Sequence, residues 1–119
     1  MELVHLTDRL ASILQRYPPE SKECVACARE VWQLLRSVGL AAEVIRVTHA
    51  LLGQYFHTQE GVCFAETGFH VTVRVNNLLV DALTGPAGKP QHEYYTLWRH
   101  IEPHELIFTP MEIHDAPSD

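Results

Sequence analysis

Residues 70–83 have the sequence HVTVRVNNLLVDAL, and this stretch decides the fold. Apolar and polar residues alternate strictly through HVTVRV, which is typical of a β-strand with one buried face. A second apolar run, LLVDAL, follows directly after Asn76 and Asn77. Because asparagine tolerates the positive φ angles of a tight turn, the stretch predicts a hairpin of two antiparallel strands.

The same turn predicts which residues of the hairpin face each other. With the two asparagines at the turn, Val73 lies opposite Val80, and Thr72 lies opposite Asp81. His70 and Asp81 then share one face as diagonal neighbours, within reach of a hydrogen bond. A buried carboxylate is costly without such a partner. We therefore expect Asp81 to orient the imidazole of His70, unless Asp81 only ends an edge strand in solvent and His70 is an ordinary core or rim histidine.

The other elements follow from hydrophobic periodicity and from prolines and glycines that interrupt it. They are helices at residues 2–16, 24–37 and 92–101, and strands at residues 42–47 and 105–113. Residues 50–67 have no clear pattern. Two helices followed by mostly antiparallel strands predict the α+β class, with N-terminal helices packed on a small sheet. We expect one domain over residues 1–114 and a flexible tail at residues 115–119.

Composition excludes several classes of partner. The chain has 119 residues, 46% of them hydrophobic, and a formal net charge of −6. Nucleic acid and anionic membranes both require a basic surface, so we expect neither as a partner. No apolar run approaches the roughly 20 residues that span a bilayer, and no signal peptide is visible. We expect a cytoplasmic protein, or one delivered into a target cell without a classical signal peptide.

Cys24 is the candidate nucleophile. It stands where the second predicted helix begins, and a helix N-terminus favours the thiolate, which is the nucleophilic form. With His70 as base and Asp81 as orienting acid, Cys24 completes a triad. Cys27 lies three residues further on and is the less favoured nucleophile, because a buried cysteine packs as a small hydrophobe.

The triad leads to two further expectations. The backbone N–H of Cys24 is a natural donor to an oxyanion, with a side-chain donor from Gln15, Ser21 or residues 50–60. Replacement of Asp81 by leucine is expected to remove the acceptor for His70 and to raise stability, because an apolar residue replaces a half-buried charge.

Two segments resemble the papain-fold toxin families of bacterial polymorphic toxin systems: KECVACAREVWQLLRSVGL at residues 22–40 and GFHVTVRVNNLLVDALTGPAG at residues 68–88. The matching residues are Cys24, Ala28, Gly68-Phe69-His70 and Asp81. The resemblance spans roughly residues 20–90. It implies a papain-like fold and an amide-cleaving enzyme, either a peptidase or a glutamine deamidase, without a cofactor. It also implies a protein or peptide substrate and a cognate immunity protein as partners.

Two other interpretations stay open. Cys24, Cys27, Cys63 and His70 would together make a Cys₃His zinc site in a binding module. However, the CxxC pair lies in a helical pattern, and Cys63 and His70 are further apart than usual ligand pairs. The other interpretation is a papain-like domain that binds a partner without catalysis. The odd number of cysteines argues against a disulfide framework and for a reducing compartment.

Overall fold

The computed structural model of the protein describes residues 3–21, 23–50, 57–59 and 69–112. Its helices are α1 (Leu3–Arg16) and α2 (Cys24–Ser37), together with short 3₁₀ helices at Pro19–Ser21, Gln91–Leu97 and Pro103–Glu105. Its strands are β1 (Glu43–His49), β2 (His70–Val75), β3 (Leu78–Val80), β4 (Lys89–Pro90) and β5 (Leu106–Met111). The described strands form one antiparallel sheet in the order β4-β3-β2-β1-β5, which confirms the α+β class.

The predicted hairpin is present as β2 and β3. Asn76 and Asn77 form the turn with φ angles of 51° and 65°, in the left-handed region that a two-residue hairpin requires. Val73 pairs with Val80, which confirms the predicted register. The central strand of the sheet is β2, so the hairpin lies at the middle of the fold.

The strand β3 is shorter than predicted, because Asp81 starts a turn. Asp81 Oδ1 accepts hydrogen bonds from the backbone N–H groups of Leu83 at 2.8 Å and Thr84 at 3.1 Å. An aspartate that binds the backbone two and three residues ahead turns the chain and competes with strand pairing. Asp81 therefore follows the strand rather than belonging to it.

One face of the sheet packs against α1 and α2. The buried residues of this region, which we call the helix-side core, are Leu6, Leu10, Ile13, Leu14, Val25, Cys27, Ala28, Val31, Leu34, Leu35, Ala42, Val44, Val71, Val73, Val75 and Val80. The apolar periodicity of both helices predicts this contact, and α2 begins and ends at the predicted residues. α2 lies directly over β2, which brings the start of the helix close to the central strand.

The opposite face is covered by the C-terminal part of the chain. The buried residues here, which we call the aromatic core, are Ile45, Val47, Leu79, Tyr94, Trp98 and Leu106. The helix predicted at residues 92–101 is instead the 3₁₀ helix Gln91–Leu97, and the chain is extended at Trp98. Thr58 pairs with Trp98 in an isolated bridge, so residues 57–59 lie beside this segment.

The strand predicted at residues 105–113 is β5, which lies at the edge of the sheet and pairs with β1. The predicted tail at residues 115–119 and most of the unassigned stretch 50–67 lie outside the described residues. None of the helices in the described part of the chain is long and apolar enough to cross a membrane.

Candidate active site

A small cavity lies at the start of β2, where the two cores meet. Its walls come from the end of α1 and the loop after it, the start of α2, the start of β2, and the turn after β3. The lining residues are Tyr17, Pro18, Pro19, Ser21, Glu23, Cys24, Cys27, His70, Val71, Asp81, Ala82 and Leu83. The volume of the cavity is about 20 Å³, enough for a single water molecule. The three residues predicted as a triad all line this cavity.

Cys24 is the first residue of α2 and is half-buried in the cavity wall. The first helical hydrogen bond runs from the Cys27 N–H to the Glu23 carbonyl at 3.0 Å. The Glu23 N–H donates to Ser21 Oγ at 3.3 Å, which ties the preceding 3₁₀ turn to the start of the helix. Cys24 is thus held at the positive end of the α2 dipole, where a thiolate is favoured.

His70 is the first residue of β2, and only 3% of its surface is exposed. Its Nε2 lies 3.4 Å from Asp81 Oδ2. Burial alone lowers the pKa of His70, but the hydrogen bond with Asp81, followed by the interaction with Cys24 and the charge of Asp81, outweighs burial and raises the pKa to about 9. The raised pKa favours the imidazolium form of His70 at neutral pH. His70 lines the same cavity as both other members of the predicted triad.

The backbone of the turn after β3 holds one side of the Asp81 carboxylate. Besides the two N–H groups that bind Oδ1, the Asp81 N–H donates to Thr84 Oγ1 at 3.0 Å. The Thr84 hydroxyl is in turn 3.2 Å from the Asp81 carbonyl. Asp81 with Thr84, and the Gly85-Pro86 pair that follows, are the features of the sequence that indicate a turn after β3.

Side chains hold the other side of the carboxylate. The Tyr94 hydroxyl donates to Asp81 Oδ2 at 2.6 Å, so this oxygen faces both Tyr94 and His70. Burial alone raises the pKa of Asp81, but the hydrogen bond and charge of His70, and hydrogen bonds from Thr72 and Tyr94, together lower it. Asp81 is 4% exposed and ionised, and it has a partner on each oxygen.

Tyr94 and Trp98 form the wall behind His70. The Trp98 ring stands edge-on to the imidazole, with ring centroids 5.6 Å apart. Trp98 lies in the aromatic core, and the sequence predicts no role for Tyr94. Tyr95 is adjacent and chemically identical, and no local pattern distinguishes which of the two hydroxyls faces Asp81. Only the packing of residues 91–97 on the sheet selects Tyr94.

Cys27 lines the same cavity but is 4% exposed. Burial, followed by the charges of Asp81, Cys24 and Glu30, raises the pKa of the Cys27 thiol to about 12. Cys27 is therefore a neutral thiol at any physiological pH. Its place in the helix-side core confirms the prediction that it packs as a small apolar residue.

The other predicted ligands and donors are only partly covered by the structure. Within residues 3–21, 23–50, 57–59 and 69–112, no three His, Cys, Asp or Glu side chains are grouped to hold a metal ion. Cys63 lies outside these ranges, so the Cys₃His site stays a prediction. Of the candidate oxyanion donors, Ser21 lines the cavity, whereas Gln15 is exposed on α1 and is not part of the cavity wall.

Comparisons of this chain with known proteins found no matching family model, no matching curated protein and no matching solved structure.

Proposed function

We propose that the protein is a papain-like, cysteine-dependent amide hydrolase that acts on a protein or peptide. The observation that carries the proposal is the buried, charged His70–Asp81 pair, which adjoins a half-exposed cysteine at a helix start. Burying a charged pair is expensive unless its geometry is well satisfied. A thiol beside an imidazolium is the arrangement that generates a nucleophile at neutral pH.

The arrangement supports a two-step reaction. The Cys24 thiolate attacks the amide carbonyl carbon, and the imidazolium of His70 gives its proton to the leaving nitrogen as the carbon–nitrogen bond breaks. An amine leaves from a peptide bond, and ammonia leaves from a glutamine side chain. Water then attacks the thioester, His70 takes up the water proton, and the carboxylic acid is released from the restored Cys24. Capture of the same thioester by an amine would give transfer instead of hydrolysis.

The two ring nitrogens of His70 have separate roles in this reaction. Nε2 faces Asp81, so Nδ1 is the nitrogen that exchanges protons with Cys24 and with the leaving group. In the serine-protease triad the nitrogens are used the other way round, with Nε2 on the nucleophile and Nδ1 on the acid. Both orientations place an imidazole between a nucleophile and a carboxylate, which is the feature that the chemistry needs. The Cys24 N–H and the Ser21 hydroxyl are the donors that we assign to the oxyanion.

The resemblance to papain-fold toxin families supports the same chemistry and suggests a biological setting. Cys24, His70 and Asp81 stand at the matching positions, and the structure brings them to one cavity. On this resemblance we propose a toxin or effector domain that acts in the cytoplasm of the producing cell or of a target cell. A cognate immunity protein is the partner that such a role implies.

Intact-mass analysis after reaction with peptide-based and glutamine-based electrophilic probes tests the proposal. We expect one label, located on Cys24, and complete loss of labelling in Cys24→Ala. Cys24→Ala should retain the wild-type fold by circular dichroism, because alanine is a good helix residue at a half-buried position. Labelling of Cys63 alone, with Cys24 inert, would rule the mechanism out and favour a binding module. The probe class that labels Cys24 faster indicates whether peptide bonds or glutamine side chains are the substrate.

A further inference from the structure

One carboxylate oxygen of Asp81 has two partners that compete for it. The Tyr94 hydroxyl is 2.6 Å from Oδ2, whereas His70 Nε2 is 3.4 Å from the same atom. Hydrogen bonds to ionised acceptors strengthen as they shorten, and 2.6 Å is typical of a strong O–H···O⁻ bond. The tyrosine therefore has the closer contact with Oδ2, and the histidine has the looser one.

We propose that Tyr94 is a positioning residue of this site, whose hydroxyl competes with His70 for Asp81 Oδ2 and so limits how strongly Asp81 holds the proton of His70. The catalytic consequence of this inference rests on the proposed amide hydrolase function. The effect on the protonation of His70 does not rest on that function, because it follows from the shared carboxylate alone.

The Tyr94 side chain is held in place to donate to Asp81. It is fully buried, with 0% of its surface exposed. Its ring packs edge-on against Trp98 and Phe108, with centroid distances of 6.2 and 5.9 Å. Burial, followed by the charge of Asp81, raises the pKa of Tyr94 well above its ordinary value. The phenol thus stays protonated, and the two aromatic contacts keep its hydroxyl directed at the carboxylate.

The direction in which Tyr94 shifts the protonation of His70 follows from how stable the Asp81 carboxylate is beside neutral and beside protonated His70. When His70 loses its proton, Asp81 loses its countercharge in a buried environment and depends on its remaining donors. With the Tyr94 hydroxyl in place, the lone carboxylate is still stabilised on Oδ2. Without that hydroxyl the lone carboxylate is less stable, so the charged pair is favoured and His70 keeps its proton to higher pH.

Other described groups also lie around His70. The titratable residues that line the cavity with it are Tyr17 after α1, Glu23 before α2, Cys24 and Cys27 in α2, and Asp81 after β3. The β1 residue paired with His70 is Val47, which does not titrate. Trp98 contributes an uncharged ring. Two hydroxyls reach the Asp81 carboxylate, that of Thr72 from β2 and that of Tyr94 from the 3₁₀ helix Gln91–Leu97. The Tyr94 hydroxyl is the one that lies 2.6 Å from the oxygen that faces His70.

This competition matters for catalysis because His70 must release a proton to the leaving nitrogen. General acids work best when their pKa lies near the working pH. An imidazolium held too tightly by Asp81 is a poorer acid. By weakening the interaction between Asp81 and the imidazolium, Tyr94 would keep the pKa of His70 within the range in which the imidazole can both donate and accept a proton.

A histidine-resolved NMR titration tests the inference, with ¹³Cε1 shifts followed against pH and the His70 signal assigned by its loss in His70→Gln. Tyr94→Phe keeps the ring packing and removes the hydroxyl. We expect the His70 midpoint to rise by roughly half to one pH unit, about the size of one differential hydrogen bond. Tyr95→Phe, a matched change one residue away, should leave the midpoint unchanged. An unchanged or lowered midpoint in folded Tyr94→Phe overturns the inference.

A second arm needs no mutation. Uniform incorporation of 3-fluorotyrosine makes each phenol a stronger donor and keeps all four tyrosines of the chain. It should move the His70 midpoint down, opposite to Tyr94→Phe, and this shift should persist in Tyr95→Phe. No shift, or an upward shift, would contradict the competition. Probe labelling of Cys24 in the same samples separates the outcomes, because the titration shift is expected whether or not the protein proves to be an enzyme.

Discussion

The two faces of the sheet differ in what they bury. The helix-side core is built from aliphatic residues with Cys27 as its sulfur-containing member. The opposite face carries the aromatic core and the buried polar side chains, which are His49, Thr58, His70, Thr72 and Asp81. Cys24 comes from the helix side, whereas His70 and Asp81 belong to the polar side. The candidate site lies where the two layers meet at the start of β2.

This difference suggests a division of roles between the layers. The helix-side core, here called the aliphatic layer, positions α2 through non-directional packing, which tolerates small adjustments. The opposite face, here called the polar layer, depends on directional hydrogen bonds to a buried carboxylate, and loss of one partner leaves that charge uncompensated. Substitutions in the polar layer should therefore lower both stability and reactivity, whereas substitutions in the aliphatic layer should lower stability alone.

The largest effect is expected for Asp81→Leu. The sequence alone predicts that this change raises stability, but the structure argues the opposite. The substitution removes the acceptor of the Leu83 and Thr84 N–H groups, the Tyr94 hydroxyl and the His70 ring. We expect a loss of roughly 4 kcal/mol in the free energy of unfolding, measured by urea titration, together with loss of probe labelling. Unchanged stability would show that the carboxylate contributes little to the polar layer.

Asp81→Asn is the matched control for that change. Asparagine keeps an acceptor for the backbone of the turn and removes the charge. Labelling of Cys24 should fall roughly 10-fold to 100-fold, less than the loss of about 10⁴ known for this swap in a serine triad, because a cysteine–histidine pair ionises before substrate arrives. Full labelling in Asp81→Leu would reduce the triad to a Cys24–His70 dyad.

Leu35→Ala tests the aliphatic layer. Leu35 is 1% exposed and belongs to the helix-side core. Removal of its side chain should lower the free energy of unfolding by roughly 3 kcal/mol, through lost burial and a cavity. Leu35 lies ~16 Å along α2 from Cys24, so the labelling rate per folded molecule should stay within about twofold of wild type. A large fall in that rate would mean that the two layers are coupled.

The pH dependence of the free energy of unfolding should reflect the ionisation of His70 and Asp81 in the polar layer. The pKa of His70 is raised from 6.5 to about 9, so its contribution is present below pH 6.5 and is lost as pH rises towards 9. The pKa of Asp81 is lowered, so its contribution is lost instead as pH falls below its ordinary value. We expect the free energy of unfolding to decrease by no more than about 3 kcal/mol between pH 6.5 and 9. His70→Gln should flatten this decrease, and an equal slope in that variant would assign the effect to other groups.

The smallest effect is expected for Cys27→Ala. It removes a buried sulfur that accepts a hydrogen bond from the Ala82 backbone, at a cost of about 1 kcal/mol. Labelling at Cys24 should be retained, because the neutral Cys27 thiol takes no part in the proposed reaction. A loss of labelling in Cys27→Ala with retention in Cys24→Ala would move the nucleophile by one helical turn.

Local patterns in the sequence determined the helices and the hairpin, in which hydrogen bonds join residues close together in the chain. The apolar steps of α1 and α2 and the alternation in β2 determine which side of each element is buried. The two asparagines determine the hairpin register, because a two-residue turn permits only one pairing. The proximity of His70 and Asp81 follows from that register, and Cys24 follows from its place at a helix start, so the sequence predicts three of the residues that line the cavity.

Only the tertiary structure decided which side chains from other elements surround the candidate triad. Asp81 ends β3 through local hydrogen bonds to the backbone of the residues two and three positions ahead, which a strand pattern does not reveal. Tyr94 rather than Tyr95 reaches Asp81 because residues 91–97 form a 3₁₀ helix packed on the sheet face opposite α2. The Tyr94–Asp81 contact joins two separate elements of the chain, and its energy depends on burial and direction, which neither composition nor periodicity records.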